Sequence, residues 1–164
     1  MDVVQKHVNI IQHDTKTAPG PAHPPPARSL ARRVAWERSA KLGDEVGYQV
    51  RFENHTGPET KIEFITEGVL LRRLQDDPRL ANVGAVLFDE FHERNLDADL
   101  ALSLLLYNRE ILREGTPLKL LLMSATLDIK QLQCLLTPYN KRRDVPAVRS
   151  AGRSFPVSSS YIDK

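Results

Sequence analysis

One apolar run constrains this chain more than any other feature. Val83–Phe88 reads Val-Gly-Ala-Val-Leu-Phe, without a single charged or polar side chain. A run of that kind suits a strand covered on both faces, as in a parallel sheet flanked by helices. Asp89, Glu90, Phe91 and His92 follow it at once. Two adjacent carboxylates at the end of a buried strand are costly unless something positive meets them. Magnesium carried with a nucleotide phosphate is the usual answer in such sheets. One carboxylate then holds the metal, commonly through water, and the next polarises the attacking water. The plain alternative is a strand that simply runs into a solvated acidic loop. It weighs evenly against the acidic pair alone and poorly against the whole run through Glu93 and Arg94 into a long helical stretch.

The remaining pattern alternates strands with helices. Residues 28–42 place Leu30, Val34, Ala35 and Ala40 among Arg and Lys, a helical spacing stopped by Gly43. Residues 46–52 and 61–66 alternate and carry β-formers, so both read as strands, with a turn at residues 54–58 between them. Val69, Leu70, Leu71 and Leu74 predict a helix over residues 67–77, ending before Pro78. A second long helix is expected over residues 96–112, a buried strand over 118–123, and a short helix over 128–136 with Asp128 near its N-cap. Residues 147–150 and 157–162 read as further strands. The sum is an open α/β sheet whose site lies at the carboxyl ends of its strands.

Residues 1–27 read differently. Pro19, Pro21, Pro24, Pro25 and Pro26 cluster with Gly20, and proline removes backbone donors and fixes φ. This segment is expected to be an extended linker or disordered, with ordered structure starting near Arg28. Composition adds only exclusions. The net charge of +2 gives no bulk electrostatic argument for a nucleic-acid partner, so such a claim must rest on local sites. The single cysteine, Cys134, excludes an internal disulfide framework and fits a reducing cytoplasm. No apolar run reaches the ~18 residues that suggest a membrane span, and the N-terminus lacks the apolar stretch of a signal peptide.

Asp89-Glu90-Phe91-His92-Glu93-Arg94 resembles motif II of the DEAH/RHA helicases, and Phe91 in place of alanine resembles their bacterial HrpB-type branch. Ser124-Ala125-Thr126 is similar to motif III, Thr66-Glu67-Gly68 to motif Ib, and Val46-Gly47-Tyr48-Gln49-Val50-Arg51 to the segment before it. Gly152-Arg153-Ser154-Phe155-Pro156-Val157 looks like the join to a second motor domain. These motifs stand in register over residues 28–162. The resemblance implies a RecA-like sheet, mostly parallel, with helices on both faces. Residues 28–152 would be a partial ATP-binding domain, and residues 153–164 the start of a connection to a second RecA-like domain.

Site roles carry over motif by motif. Asp89 would coordinate Mg²⁺, Glu90 would orient and deprotonate the attacking water, and His92 would sense the nucleotide. Ser124 and Thr126, near the ATP, would couple hydrolysis to domain closure. Thr66 and the backbone of Glu67 and Gly68 would touch the phosphates of single-stranded RNA or DNA, as helix N-termini suit anions. The bland reading of Thr66 is a simple N-cap. Arg28, with Arg32 and Arg33, stands near the family's motif Ia. The match is imperfect, and a solvated helix face is an equal reading for Arg28.

The family also needs Gly-x-x-x-x-Gly-Lys-Ser/Thr, whose backbone N–H groups wrap phosphates. None of the eight glycines opens such a run. The fold is therefore expected to be incomplete in its N-terminal part, ATP binding weak, and the chain inactive alone. Two readings stand: an incomplete copy of an ATP-dependent helicase, or a non-catalytic module that binds nucleic acid or a partner. A different P-loop ATPase fits the motif spacing less well.

Overall fold

The computed structural model describes residues 7–12, 26–112, 118–126, 128–139 and 145–150. They fall into two compact units, one up to residue 127 and one from Asp128 on. The first holds a six-stranded sheet. In chain order its elements are β1 (His7–Gln12), α1 (Pro26–Glu37), β2 (Val46–Val50), β3 (Glu53–His55), β4 (Ile62–Thr66), α2 (Glu67–Asp76), β5 (Val83–Phe88), α3 (Leu96–Ile111) and β6 (Lys119–Leu122). The strand order is β3-β2-β4-β1-β5-β6. Every pairing is parallel except β2 with β3.

This is an α/β sheet of RecA-like type. Side chains alternate across β4, so Ile62 and Phe64 face one way and Glu63 and Ile65 the other. Ala27, Ala31 and Ala35 of α1 are buried with Val46, Tyr48, Val50 and Phe64 on the first face. The three alanines recur every fourth residue, and their small side chains let α1 lie close on the strands. On the second face Arg73 of α2 meets Glu63. β5 is flanked by β1 and β6, and Val86 and Phe88 are wholly buried. The apolar run is thus an interior strand.

Several sequence expectations change here. Residues 7–12 lie inside the segment read as linker-like, yet they form β1 between β4 and β5 in the sheet. Val8, Ile10 and Ile11 pair with residues of both neighbours, which supplies the two ladders that a short run cannot supply for itself. α1 begins at Pro26, two residues before the expected start near Arg28, and the fixed φ of proline suits a first helical position. The strand expected over residues 46–52 ends at Val50. Phe52, with φ 66°, then turns the chain into β3, inside the stretch read partly as a turn. The strand expected at residues 147–150 does not form. The one expected at 157–162 lies outside the described residues.

The hairpin leaves no room at Gly47. A Cβ there would sit 2.4 Å from the His55 carbonyl oxygen and 3.0 Å from Thr56 Cγ2. Gly47→Ala is expected to cost about 1–3 kcal/mol through overpacking against backbone. Urea unfolding of the variant beside the parent chain reads this directly, and an unchanged midpoint would show that the hairpin gives way freely.

The second unit contains α4 (Ile129–Leu136), capped by Asp128, whose carboxylate accepts from the backbone N–H of Lys130 and Gln131 at 3.0 and 3.2 Å. Asp128 therefore takes the N-cap position its sequence context implies.

Candidate active site and nucleic-acid groove

β5 delivers Asp89 and Glu90 to the carboxyl edge of the sheet. The backbone N–H of Asp89 donates to the Ile11 carbonyl at 3.1 Å, which extends the β1–β5 ladder to the first acidic residue. Asp89 Oδ1 accepts from the Glu90 N–H at 3.0 Å. The chain then makes a 3-10 turn at Phe91–Glu93, and the residues on either side, Glu90 and Arg94, hold left-handed φ values of 49° and 41°. Side chains resist that region, so the turn stores backbone strain held by its surroundings. Those surroundings are visible. Phe91 is buried edge-on to Phe88 at 5.9 Å, with the Arg94 guanidinium 5.4 Å above its ring. Arg94 also binds Asp99 of α3 at 2.9 and 3.0 Å.

The polar end of β6 joins the same place. Phe91 N–H donates to the Met123 carbonyl at 3.0 Å, and Met123 N–H donates to the Phe88 carbonyl at 2.8 Å. Ser124 and Thr126 follow directly, with Ser124 Oγ accepting from the Thr126 N–H at 3.1 Å. His92 Nδ1 lies 3.3 Å from Glu90 Oε2, close enough for an ion pair when the imidazole is charged but not aligned as a hydrogen bond. Asp89, Glu90, His92, Ser124 and Thr126 therefore share one edge of the sheet.

The crevice beside the acidic pair is small. Ile11, Glu67, Phe88, Asp89, Glu90 and Asn95 are among its walls, and its volume is about 10 Å³. That is room for about one water molecule. A magnesium ion needs few protein ligands, because one or two carboxylates plus waters and phosphates complete its shell. Asp89 and Glu90 fit that carboxylate share. No cluster of three or more acidic, histidine or cysteine ligands occurs among the described residues.

A second, much larger concavity of about 1040 Å³ opens beside α2. Its walls include Thr66, Gly68, Arg51, Arg72, Phe52 and Asn95. Thr66 stands at the N-cap of α2 with extended φ and ψ, yet its hydroxyl makes no capping hydrogen bond. The side chain of Glu67 is buried, and its Oε1 accepts from Asn95 Nδ2 at 2.7 Å.

Arg28 is placed elsewhere. It is not among the residues lining the groove. Its guanidinium lies 3.8 Å from Glu53 on the β2–β3 hairpin. Glu53 also accepts from the Tyr48 hydroxyl at 2.6 Å. That hydrogen bond, more than the nearby Arg28, holds the Glu53 carboxyl below its ordinary range, while burial and the same bond push the Tyr48 phenol up. Asn95 is a site residue that sequence reasoning missed. Its signal is modest, an Asn before an acidic first turn, which marks an N-cap and says nothing of Glu67.

A mostly parallel α/β sheet with an acidic pair closing an interior strand, and a polar turn joined to it from the next strand, defines a domain of the RecA-like class. Comparison with known proteins gives the family. The chain is 52% identical over 136 residues to the ATP-dependent RNA helicase HrpB of Escherichia coli, a match that covers 83% of this chain and 16% of that protein. Crystal structures of the same E. coli protein superpose on it. One, described as a DEAH/RHA helicase, has a TM-score of 0.76 at 44% identity over 93% of this chain and 17% of its own. The other, described as a DExH-box NTPase, has a TM-score of 0.69 at 45% identity over 80% of this chain and 15% of its own. No protein-family model matches the chain. The chain belongs to the DEAH/RHA helicases, and it spans about a sixth of the relative it matches. No helix among the described residues is long and apolar enough to cross a membrane.

Proposed function

We propose that these residues form the metal-carboxylate and nucleic-acid-contacting part of an ATP-driven helicase domain acting on single-stranded RNA or DNA. The observation that carries this reading is the shared sheet edge, where the Asp89–Glu90 turn is hydrogen-bonded to β1 and to Met123 just before Ser124. Asp89 holds Mg²⁺ and Glu90 orients the attacking water. Bound ATP with its metal supplies the electrophilic phosphorus and the charge to be neutralised. His92, beside Glu90, responds to the state of that site. Thr66 and the N–H groups of Glu67 and Gly68 meet the phosphates of the strand, where the dipole of α2 favours anions.

On their own, these 164 residues bind ATP weakly and do not turn it over, because the sequence contains no Gly-x-x-x-x-Gly-Lys-Ser/Thr run to wrap phosphates. The large groove beside α2 supports a second reading, in which the stretch alone binds nucleic acid without catalysis.

Both readings require binding in the large groove. Arg51 and Arg72 are the exposed arginines on its wall. Each phosphate contact to a single strand adds about −0.7 to the slope of log K against log salt, so two give about −1.4. Affinity for a labelled oligouridylate is then expected to fall about sevenfold between 50 and 200 mM salt. Fluorescence anisotropy measures this. Undetectable or salt-independent binding would remove the groove assignment.

A further inference from the structure

Glu67 and Asn95 line both concavities, the small crevice beside Asp89–Glu90 and the large groove beside Thr66–Gly68. They form the wall between them. Asn95 uses both ends of its amide there. Nδ2 donates to Glu67 Oε1 at 2.7 Å, and Oδ1 accepts from the Ala98 N–H at 2.6 Å to cap α3. Glu67 opens the first turn of α2, directly after Thr66. Asn95 ends the turn that carries Glu90 and Arg94 in left-handed conformations. Two segments 28 positions apart in sequence are therefore joined through one side-chain hydrogen bond.

We propose that the Glu67–Asn95 hydrogen bond transmits occupancy of the groove to the Asp89–Glu90 turn, with both residues acting as positioning residues. The proposal rests on the reading of the groove as a nucleic-acid site. A phosphate at the Thr66–Gly68 backbone pulls on the first turn of α2, and Glu67 is fixed to that turn. Its carboxylate moves Asn95, and Asn95 sets where the strained turn ends. Strain makes that turn responsive, because a segment held in a sparsely populated conformation by its neighbours relaxes when a neighbour shifts. Arg94, tied to Asp99, anchors the far side of the same turn to α3.

The chemistry of the pair permits a test that separates coupling from mere structure. Aspartate caps a helix about as well as asparagine. Asn95→Asp therefore keeps the cap but turns the donor toward Glu67 into a second acceptor. Glu67→Gln keeps an acceptor oxygen for Asn95. The double variant reverses the polarity, with the new glutamine amide donating to the new carboxylate. Asn95→Ser also caps α3 but is too short to reach Glu67.

Amide hydrogen exchange of the full chain near pH 7, with and without saturating oligouridylate, reads both segments at once. In the parent chain, exchange is expected to slow about fivefold at residues 67–71 and also at 89–95. Asn95→Asp and Asn95→Ser should keep the first effect and lose the second. Glu67→Gln and the double variant should show both. Slowing confined to 67–71 in the parent overturns the proposal, as does slowing at 89–95 that persists in Asn95→Ser. No slowing anywhere in the parent overturns the nucleic-acid reading and this link with it, so the two failures are distinguishable.

Discussion

Arg73→Met is expected to lower the stability of the first unit by about 3–5 kcal/mol, the usual cost of stranding one partner of a buried ion pair. Glu63 is the second residue of β4, with its side chain 8% exposed. Its two oxygens receive Arg73 Nη1 at 2.7 Å and Nη2 at 2.6 Å. Arg73 also donates to Gln49 Oε1 on β2, so one guanidinium from α2 clamps two strands. Methionine retains most of the apolar stem and removes every donor. The carboxylate of Glu63 then remains under α2 without a cation. A domain of ordinary stability has about 5–15 kcal/mol in total, so this loss is a large share of it. Replacing both partners, Glu63→Leu with Arg73→Met, removes the stranded charge and should recover most of the loss, since apolar pairs often substitute for buried ion pairs at little cost. Urea unfolding gives the comparison, with unchanged m-values as the condition for reading midpoints as stability. A loss under about 1 kcal/mol in the single variant would mean that water reaches Glu63, as at an exposed pair.

The sequence carried the interior of this sheet more clearly than its margins, and the reason is physical. Val83–Phe88 is apolar throughout, so its pattern is complete within itself, although only Val83, Val86 and Phe88 are fully buried and Ala85 and Leu87, on the face opposite Val86, are half-buried. β4, α2 and α3 likewise carry their own periodicity, and the structure has them within a residue or so of where spacing predicts. β1 does not. His7, Asn9 and Gln12 interrupt its apolar residues, and a proline-rich stretch follows. It becomes a strand through ladders with β4 and β5, whose residues lie more than fifty positions away. β3 is three polar residues at a sheet edge, formed because Phe52 turns the chain back on β2. Short edge segments of that kind have no local signature.

The candidate site divides in the same way. Asp89 and Glu90 were legible because a buried strand ending in two carboxylates is a local pattern with one common use. The turn that presents them was not. Its left-handed residues are a glutamate and an arginine, neither of which announces that conformation as glycine would. The Glu67–Asn95 bond and the Phe91–Met123 bond join segments distant in sequence, and nothing in either segment alone points to the other. Arg28 was not separable from sequence alone: a phosphate contact and a solvated helix face weigh equally there, and the fold places its guanidinium 3.8 Å from Glu53.

The largest functional effect is expected at Glu90. The matched stretch of 136 residues can be exchanged for its counterpart in the E. coli ATP-dependent RNA helicase HrpB, keeping that protein's own residues elsewhere. In such a chimera, Glu90→Gln is expected to reduce kcat for RNA-stimulated ATP hydrolysis by about 10²–10⁴-fold, the range for removing a positioned general base. KM should change little, because glutamine keeps the size and polarity of the side chain and the metal-holding role lies with Asp89. Asp89→Asn should instead raise the magnesium requirement, which separates a metal ligand from a base. The contrast depends on geometry already present. Asp89 is fixed by its N–H bond to the Ile11 carbonyl and by its own acceptance from the Glu90 N–H, whereas the Glu90 side chain is half exposed and lies 3.3 Å from His92. An active chimera that keeps more than about a tenth of its kcat with Gln at position 90 would remove Glu90 from the base role. The water would then have to be oriented from another residue on the same edge, and His92, 3.3 Å from Glu90, would be the next to change.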